Sequence, residues 1–111
     1  MREVLIRSIF LFLSGVTLIF NSCNSSSSKP AVHTVEIKDM KFTPANLTVN
    51  KGDTVVWINR DMMAHDITEA DTKAWTSGPI AEGESWKMAV TENSNYYCSI
   101  HSVMKGKLIL K

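Results

Sequence analysis

The segment YCSIHSVMKG, residues 97–106, places a thiol, an imidazole and a thioether at intervals of three residues, at Cys98, His101 and Met104. Three such side chains within seven residues converge on one point only if a tight loop joins two strands. The spacing therefore predicts a strand that ends near Cys98, followed by a loop. We expect Gly106 to turn the chain into a final strand at residues 107–111.

His65 supplies a fourth candidate ligand from a separate segment more than thirty residues upstream of Cys98. Two imidazole nitrogens and one Cys thiolate in a trigonal set, with a weak and distant Met sulfur on the axis, suit copper that alternates between Cu(I) and Cu(II). A lone buried Cys or Met usually only fills a core, so the prediction depends on finding all four candidate ligands in one chain at this spacing. Zinc fits poorly because Met is a poor zinc ligand and only three other ligands remain. Together the four residues predict one copper ion that carries single electrons.

The chain resembles the cupredoxins, the small blue copper proteins, over residues 32–111. Besides the Cys-x-x-His-x-x-Met spacing, the resemblance rests on residues 40–44 (MKFTP), 47–59 (LTVNKGDTVVWIN) and 63–66 (MAHD). The spacing of the last three ligands is most similar to the short-loop amicyanin type. The resemblance implies a Greek-key cupredoxin fold, with equatorial and axial copper ligands at His65, Cys98, His101 and Met104.

Asp66, next to His65, departs from the family pattern, in which the residue after the first His ligand is commonly Asn and links the two ligand loops. An Asp accepts the same hydrogen bonds but cannot donate an amide hydrogen. If it is ionised, it also brings negative charge near the copper, which favours Cu(II). We therefore expect Asp66 to lower the reduction potential.

Period-two alternation of apolar residues indicates strands throughout residues 32–111. It is seen around Val35 and Ile37, Leu47 and Val49, and Trp86, Met88 and Val90. The continuously apolar run at residues 55–58 predicts a central strand covered on both faces, and no amphipathic helical pattern follows residue 22. Short strands with frequent turns over about eighty residues indicate an all-β sandwich.

The N-terminus has the layout of a secretory signal. Arg2 and Arg7 precede an apolar run at residues 9–20, which is short for a membrane span. Asn21-Ser22-Cys23 resembles a bacterial lipoprotein processing site, so residues 1–22 are predicted to be the signal and Cys23 the lipidated first residue. Phe20 stands where such sites usually have Leu, which leaves an uncleaved anchor and an ordinary secreted form as alternatives.

Residues 23–31 are Ser-rich and are predicted to be a flexible tether that leads to a single domain at residues 32–111. With this tether, the chain is expected in the bacterial cell envelope, facing the periplasm or the outside. A Cys23–Cys98 disulfide is the alternative use of the two cysteines.

Without residues 1–22 the chain has ten basic and ten acidic side chains. This balance gives no support for nucleic-acid binding, which needs a basic face. It favours apolar contacts with redox partners and weak electrostatic steering.

The predicted function is one-electron carriage by a monomer that transforms no substrate and is therefore not an enzyme. The resemblance implies redox partners such as c-type cytochromes, a terminal oxidase or a copper reductase. Two alternatives remain: a periplasmic copper chaperone or buffer, suggested by Met62 and Met63 beside His65, and a scaffold domain that has lost its metal. Cysteine-type catalysis by Cys98 has no orienting acid or pocket in the sequence to support it.

Overall fold

The computed structural model describes residues 15–17, 19 and 29–111. Cys23 and most of the predicted signal and tether lie outside these residues. The described chain forms eight strands: β1 (Val32–Lys38), β2 (Lys41–Thr43), β3 (Asn46–Val49), β4 (Thr54–Asn59), β5 (Thr68–Glu69), β6 (Ser85–Ala89), β7 (Ser94–Tyr97) and β8 (Lys105–Leu110). Within this part of the chain there is no helix with the length and apolarity needed to cross a bilayer.

The strands form two four-stranded sheets that pack face to face. One sheet has the order β2-β1-β4-β6 and the other the order β3-β8-β7-β5. Both are mixed, because β1 runs parallel to β4 and β3 runs parallel to β8, whereas the remaining pairs are antiparallel. The predicted all-β, Greek-key sandwich is confirmed.

The core lies between the two sheets and is built by alternation along the strands. Val35 and Ile37 of β1 are fully buried, and Glu36 between them is exposed. Aromatic rings then join the sheets, since Phe42 of β2 and Trp57 of β4 both meet Tyr96 of β7 edge-on, with ring centroids 4.9 and 5.5 Å apart. Such edge-to-face pairs add to the stabilisation from apolar burial.

The prediction that the strand at residues 55–58 is covered on both faces is wrong in part. Val55 and Trp57 of β4 are buried, but Val56 and Ile58 are only half-buried. The strand is internal to its sheet, as expected. A two-layer sandwich, however, covers only the inner face of each sheet, and the outer face is shielded only by neighbouring side chains.

The prediction of a turn at Gly106 is also wrong. Gly106 lies inside β8, paired with Tyr96 of β7, and the strand starts at Lys105 rather than at Lys107. A Cβ atom at position 106 would overlap the Cζ atom of the Tyr96 ring. Glycine is therefore required here because the Tyr96 ring occupies the space of a side chain, and not because the chain turns.

Candidate metal centre

His65 lies in the loop between β4 and β5, where its backbone is held on both sides. Its N–H donates to the carbonyl of Ile80 at 3.2 Å, and the Ile80 N–H donates back to the His65 carbonyl at 2.7 Å. The buried Asn59 side chain donates to the carbonyls of Met63 and Ile80, both at 2.9 Å. These bonds fix the position of His65, which is fully buried.

Cys98 and His101 lie on the loop between β7 and β8. The loop closes on itself, because the Cys98 N–H donates to the carbonyl of Met104 at 3.1 Å and the Met104 N–H donates to the carbonyl of His101 at 3.0 Å. Strand alternation points Cys98 into the interior with Tyr96 and turns Tyr97 to the other face, as the sequence predicts. Cys98 is fully buried and His101 is half-buried.

The side chains of His65, Cys98 and His101 converge at one point. Cys98 Sγ lies 3.8 Å from Nδ1 of His65 and 3.9 Å from Nδ1 of His101, and the two Nδ1 atoms are 3.1 Å apart. With metal–nitrogen and metal–sulfur bonds of about 2.0–2.3 Å, two ligands at about 100–120° lie about 3.1–3.8 Å apart. The three atoms therefore fit around one metal ion, and a thiolate with two imidazoles is a donor set that suits copper.

Asp61 orients the His65 ring from behind. Nε2 of His65 lies 2.8 Å from Oδ2 of Asp61, so Nε2 carries the proton and Nδ1 is left as the ligand atom. Burial opposes ionisation of Asp61, but hydrogen bonds from the Met40 N–H, the His65 ring and the Asp39 N–H outweigh it and lower the pKa of Asp61. Sequence reasoning missed this residue, because in a loop no regular spacing indicates that a carboxylate four positions before a His will contact its ring.

Asp66 is buried between the two ligand loops. Its Oδ1 accepts from the Ser99 N–H at 2.7 Å and from the Thr68 hydroxyl at 3.0 Å, and its Oδ2 accepts from the Ser99 hydroxyl. The Asp66 N–H points to Cys98 Sγ at 3.4 Å. Asp66 thus connects the His65 loop to the Cys98 loop and donates one N–H to the Cys98 sulfur.

Residues 30–111 match the family model of copper binding proteins of the plastocyanin/azurin family. The chain is a cupredoxin of this family. It is 34% identical over 83 residues to amicyanin from Paracoccus denitrificans and 30% identical over 89 residues to amicyanin from Paracoccus versutus. Each match covers 69% of this chain, and the chain spans 63% of the length of each relative.

Solved structures of copper proteins also share the fold of this chain. A Cu(I) form of an amicyanin point mutant superimposes with a TM-score of 0.68 at 27% identity, covering 75% of this chain and 85% of that one. A copper-containing nitrite reductase from Thermus scotoductus gives a TM-score of 0.67 at 26% identity, covering 75% of this chain but only 23% of that one. The fit of the donor set and the family together identify the cofactor as one copper ion.

Met104 of the cupredoxin lies on the same loop as Cys98 and His101. It is only 2% exposed and belongs to the hydrophobic core. Its backbone pairs with that of Cys98. Its role as the axial ligand remains a prediction.

Cys98 is an unpaired, buried thiol, so the alternative of a Cys23–Cys98 disulfide is not borne out. Cys23 itself, with its predicted lipidation, lies outside the described residues. The buried thiol of the cupredoxin is therefore available as a metal ligand.

Exposed apolar side chains occur on both loops that carry the ligands. Met62 and Val103 are 89% and 82% exposed, and Met63 and Ile100 are each 49% exposed. They belong to the loops that carry His65 and His101. We refer to these four residues as the apolar rim.

Proposed function

We propose that this cupredoxin is a one-electron carrier that shuttles electrons between redox proteins of the bacterial cell envelope. The observation that carries the proposal is the convergence of His65 Nδ1, Cys98 Sγ and His101 Nδ1 within 3.1–3.9 Å of one another. A bound copper ion supplies a reversible Cu(II)/Cu(I) couple at this point. The role of the chain is to hold the donor atoms in one arrangement for both oxidation states.

The hydrogen bonds around the ligands serve this role. Asp61 fixes the ring of His65, and Asp66 ties the loop of His65 to Ser99 in the loop of Cys98. A ligand set that is fixed before the electron arrives needs little rearrangement when the charge changes. This preorganisation favours fast electron transfer.

Burial favours a carrier over an enzyme. His65 and Cys98 have no exposed surface, and Met104 is 2% exposed. Catalytic metal sites keep an open position for water or substrate. With these groups enclosing the centre and Met104 as the proposed axial ligand, we infer that no substrate is transformed.

His101 is the proposed route for electrons, because it is the one of the three converging ligands that is not fully buried. The apolar rim on the two ligand loops suits brief contact with a partner, since apolar surface is desolvated without the loss of strong polar bonds. C-type cytochromes, a terminal oxidase or a copper reductase are the proposed partners. The protein acts as a monomer in this scheme.

The proposed location follows from the N-terminal sequence. Residues 1–22 form the export signal, Cys23 carries the lipid, and residues 23–31 tether the copper domain to the membrane. A tether of nine residues has a random-coil reach of about 15 Å. This reach holds the domain near the membrane and leaves it free to turn toward different partners.

A visible spectrum and a voltammogram of the purified protein with added Cu(II) test the function. We expect a strong thiolate-to-copper absorption that is bleached by reduction and returns on reoxidation. Cys98→Ala should abolish the absorption, and Met104→Leu should keep it but raise the reduction potential. A colourless complex, or one that does not reoxidise reversibly, would refute electron carriage.

A copper chaperone or buffer is the second candidate, favoured by the exposure of Met62 and Met63 beside the His65 loop. Thioethers prefer Cu(I). A chaperone should release Cu(I) rapidly to a competing chelator, and Met62→Leu/Met63→Leu should slow this release. A carrier should retain copper on the same timescale, with or without the two methionines.

A further inference from the structure

An open groove of about 530 Å³ crosses the outer face of the sheet β3-β8-β7-β5. Three lysines line it: Lys73, Lys105 and Lys107. Among its lining residues in the described part of the chain, Asp71 is the one carboxylate. It shares no lining residue with the apolar rim, so the molecule presents two separate surfaces.

Strand register places the polar side chains of the groove in rows. Lys107 of β8 lies opposite Asn46 of β3 on one side and Asn95 of β7 on the other, and Lys105 lies opposite Tyr97. Residues directly opposite each other in a sheet point to the same face. The floor of the groove is thus two lysines between amide and phenol groups.

Lys73 adds a third positive charge from the loop that follows β5. Its φ of 60° is unusual for a residue with a side chain, and its Nζ lies 4.3 Å from the centroid of the Tyr97 ring. The loop is held by the carboxylate of Glu69, which accepts from the N–H of Asp71 at 2.9 Å and of Thr72 at 2.7 Å. Lys73 is therefore held at the groove by the fold.

In the described part of the chain the groove lysines form no ion pairs, and three lysines face one lining carboxylate, Asp71. In the part of the chain that the structure describes, ion pairs join His33 to Asp53, Arg60 to Glu36 and His65 to Asp61, and none of them includes a groove lysine. Without residues 1–22 the chain has equal numbers of acidic and basic side chains, so its net charge gives no sign that three lysines are gathered on this face. A surface of this kind attracts an oppositely charged partner and steers its approach.

We propose that the groove docks a carboxylate-rich surface of a protein redox partner. Lysine ammonium groups act as point charges that pair with Asp and Glu side chains in many orientations, which suits short-lived complexes. Asn46 and Asn95 add hydrogen bonds to the same partner. The proposal rests on the proposed function, since a carrier needs to bind at least a donor and an acceptor, and it gives one of them a site apart from the apolar rim.

The test is a titration of the full copper-loaded protein with poly-L-glutamate, followed by amide chemical shifts. We expect the largest shifts at the groove residues Asn95, Tyr97, Lys105 and Lys107, and an affinity that falls about tenfold between low and physiological ionic strength. The variant Lys73→Glu/Lys105→Glu/Lys107→Glu should lose binding. The matched control Lys38→Glu/Lys41→Glu/Lys87→Glu has the same net charge but alters exposed lysines outside the groove, and it should keep most of the binding.

Three results would overturn the proposal. The first is an equal loss of binding in both triple variants. The second is that inorganic phosphate saturates the same shifts and poly-L-glutamate then adds nothing. The third is that the protein binds phosphatidylglycerol vesicles but not poly-L-glutamate.

The visible spectrum and reduction potential of each variant are recorded in parallel. Because the groove lysines are not copper ligands, an unchanged spectrum with lost binding separates failure of docking from failure of the copper centre. Should the triple variant not fold, the single variants Lys105→Gln and Lys107→Gln should each weaken binding, and unchanged affinity in both would refute the proposal.

Discussion

Two aspartates near the ligands contact different ligand side chains. Asp61 binds the far nitrogen of His65, whereas Asp66 lies between the two loops and presents its backbone N–H to Cys98 Sγ. Both are partly or wholly shielded from water, which strengthens their electrostatic effect. We therefore expect each aspartate to affect a different property of the bound copper, which substitution of that residue alone can measure.

Asp61→Asn should lower copper affinity about 10- to 100-fold, because partners of a ligating His typically contribute that much. The substitution keeps the shape of the side chain but removes the charge that raises the basicity of His65. The measurement is competition with a Cu(II) chelator. Asp39→Asn is the control, since it removes an equal charge from an exposed neighbour. Equal effects of the two substitutions would contradict an orienting role of Asp61.

Asp66→Asn should raise the reduction potential, because a nearby negative charge stabilises Cu(II). At an effective dielectric constant of about 20 and several Å of separation, one charge contributes about 2–3 kcal/mol, or about 90–130 mV for one electron. Voltammetry measures the change. Ser99→Ala removes the hydroxyl bond to Asp66 and keeps the carboxylate, so its potential should move less. A potential of Asp66→Asn at or below that of the wild type rules the idea out.

At the scale of strands and loops, the sequence predicts the features that depend on the local period of apolar residues and on the spacing of the ligands. Alternation predicts the inner faces of β1 and β7, and the spacing of Cys98 and His101 predicts the loop between the last two strands. The role of Gly106 could not be predicted, because it depends on the ring of Tyr96, which reaches it only across the sheet. Local patterns carry no information about such cross-strand neighbours.

Gly106→Ala should destabilise the fold by about 1–3 kcal/mol or more, since a methyl group at this position meets the Tyr96 ring and forces it to move. Urea unfolding measures the change. Lys107→Ala, an exposed neighbour on β8, should have little effect. In the Tyr96→Leu background, Gly106→Ala should cost less stability than it costs in the wild type, because the smaller leucine leaves room for the added methyl group. Absence of this coupling would show that the Tyr96 ring does not explain the glycine.

The loop after β5 gives a prediction for acid stability. The N–H of Thr72 is the main cause that lowers the pKa of Glu69 to about 2 from its ordinary 4.5, and further bonds from Asp71, the Thr72 hydroxyl and Ala74 overcome the opposing effect of burial. A carboxyl with a lowered pKa stabilises the fold above its ordinary pKa. That stabilisation is lost as the pH falls through the folded value, here between about 4.5 and about 2.

Glu69→Gln should therefore be less stable than the wild type at neutral pH, and the difference should shrink as the pH falls from 4.5 to 2. Urea unfolding at several pH values measures this difference. Glu82→Gln, at an exposed position, serves as the control and should show no such trend. A gap that stays constant over this pH range would contradict the assignment.

For the whole molecule, the sandwich brings distant ligands together at one end. His65 follows β4 in one sheet, and Cys98 follows β7 in the other, and the two loops meet through Asp66 and Ser99. The sequence could predict these ligands because their residue types and spacing are specific to copper. It could not predict the contact of Asp61 with His65, since loop geometry sets it.

The carboxylate of Asp66 joins the two loops through bonds to Ser99 and Thr68 that use none of the metal-binding atoms, so we expect the copper-free protein to remain folded. Copper should then stabilise it by mass action, by about 2.7 kcal/mol at a free concentration about 100 times Kd. For a domain of this size the gain corresponds to a rise in Tm of roughly 10–20 °C. Calorimetry before and after removal of copper measures it, with Cys98→Ala as the control that should lose most of the shift. An unfolded copper-free protein would show that Asp66 and Asp61 do not hold the ligands in advance, because the metal itself would then be organising both loops.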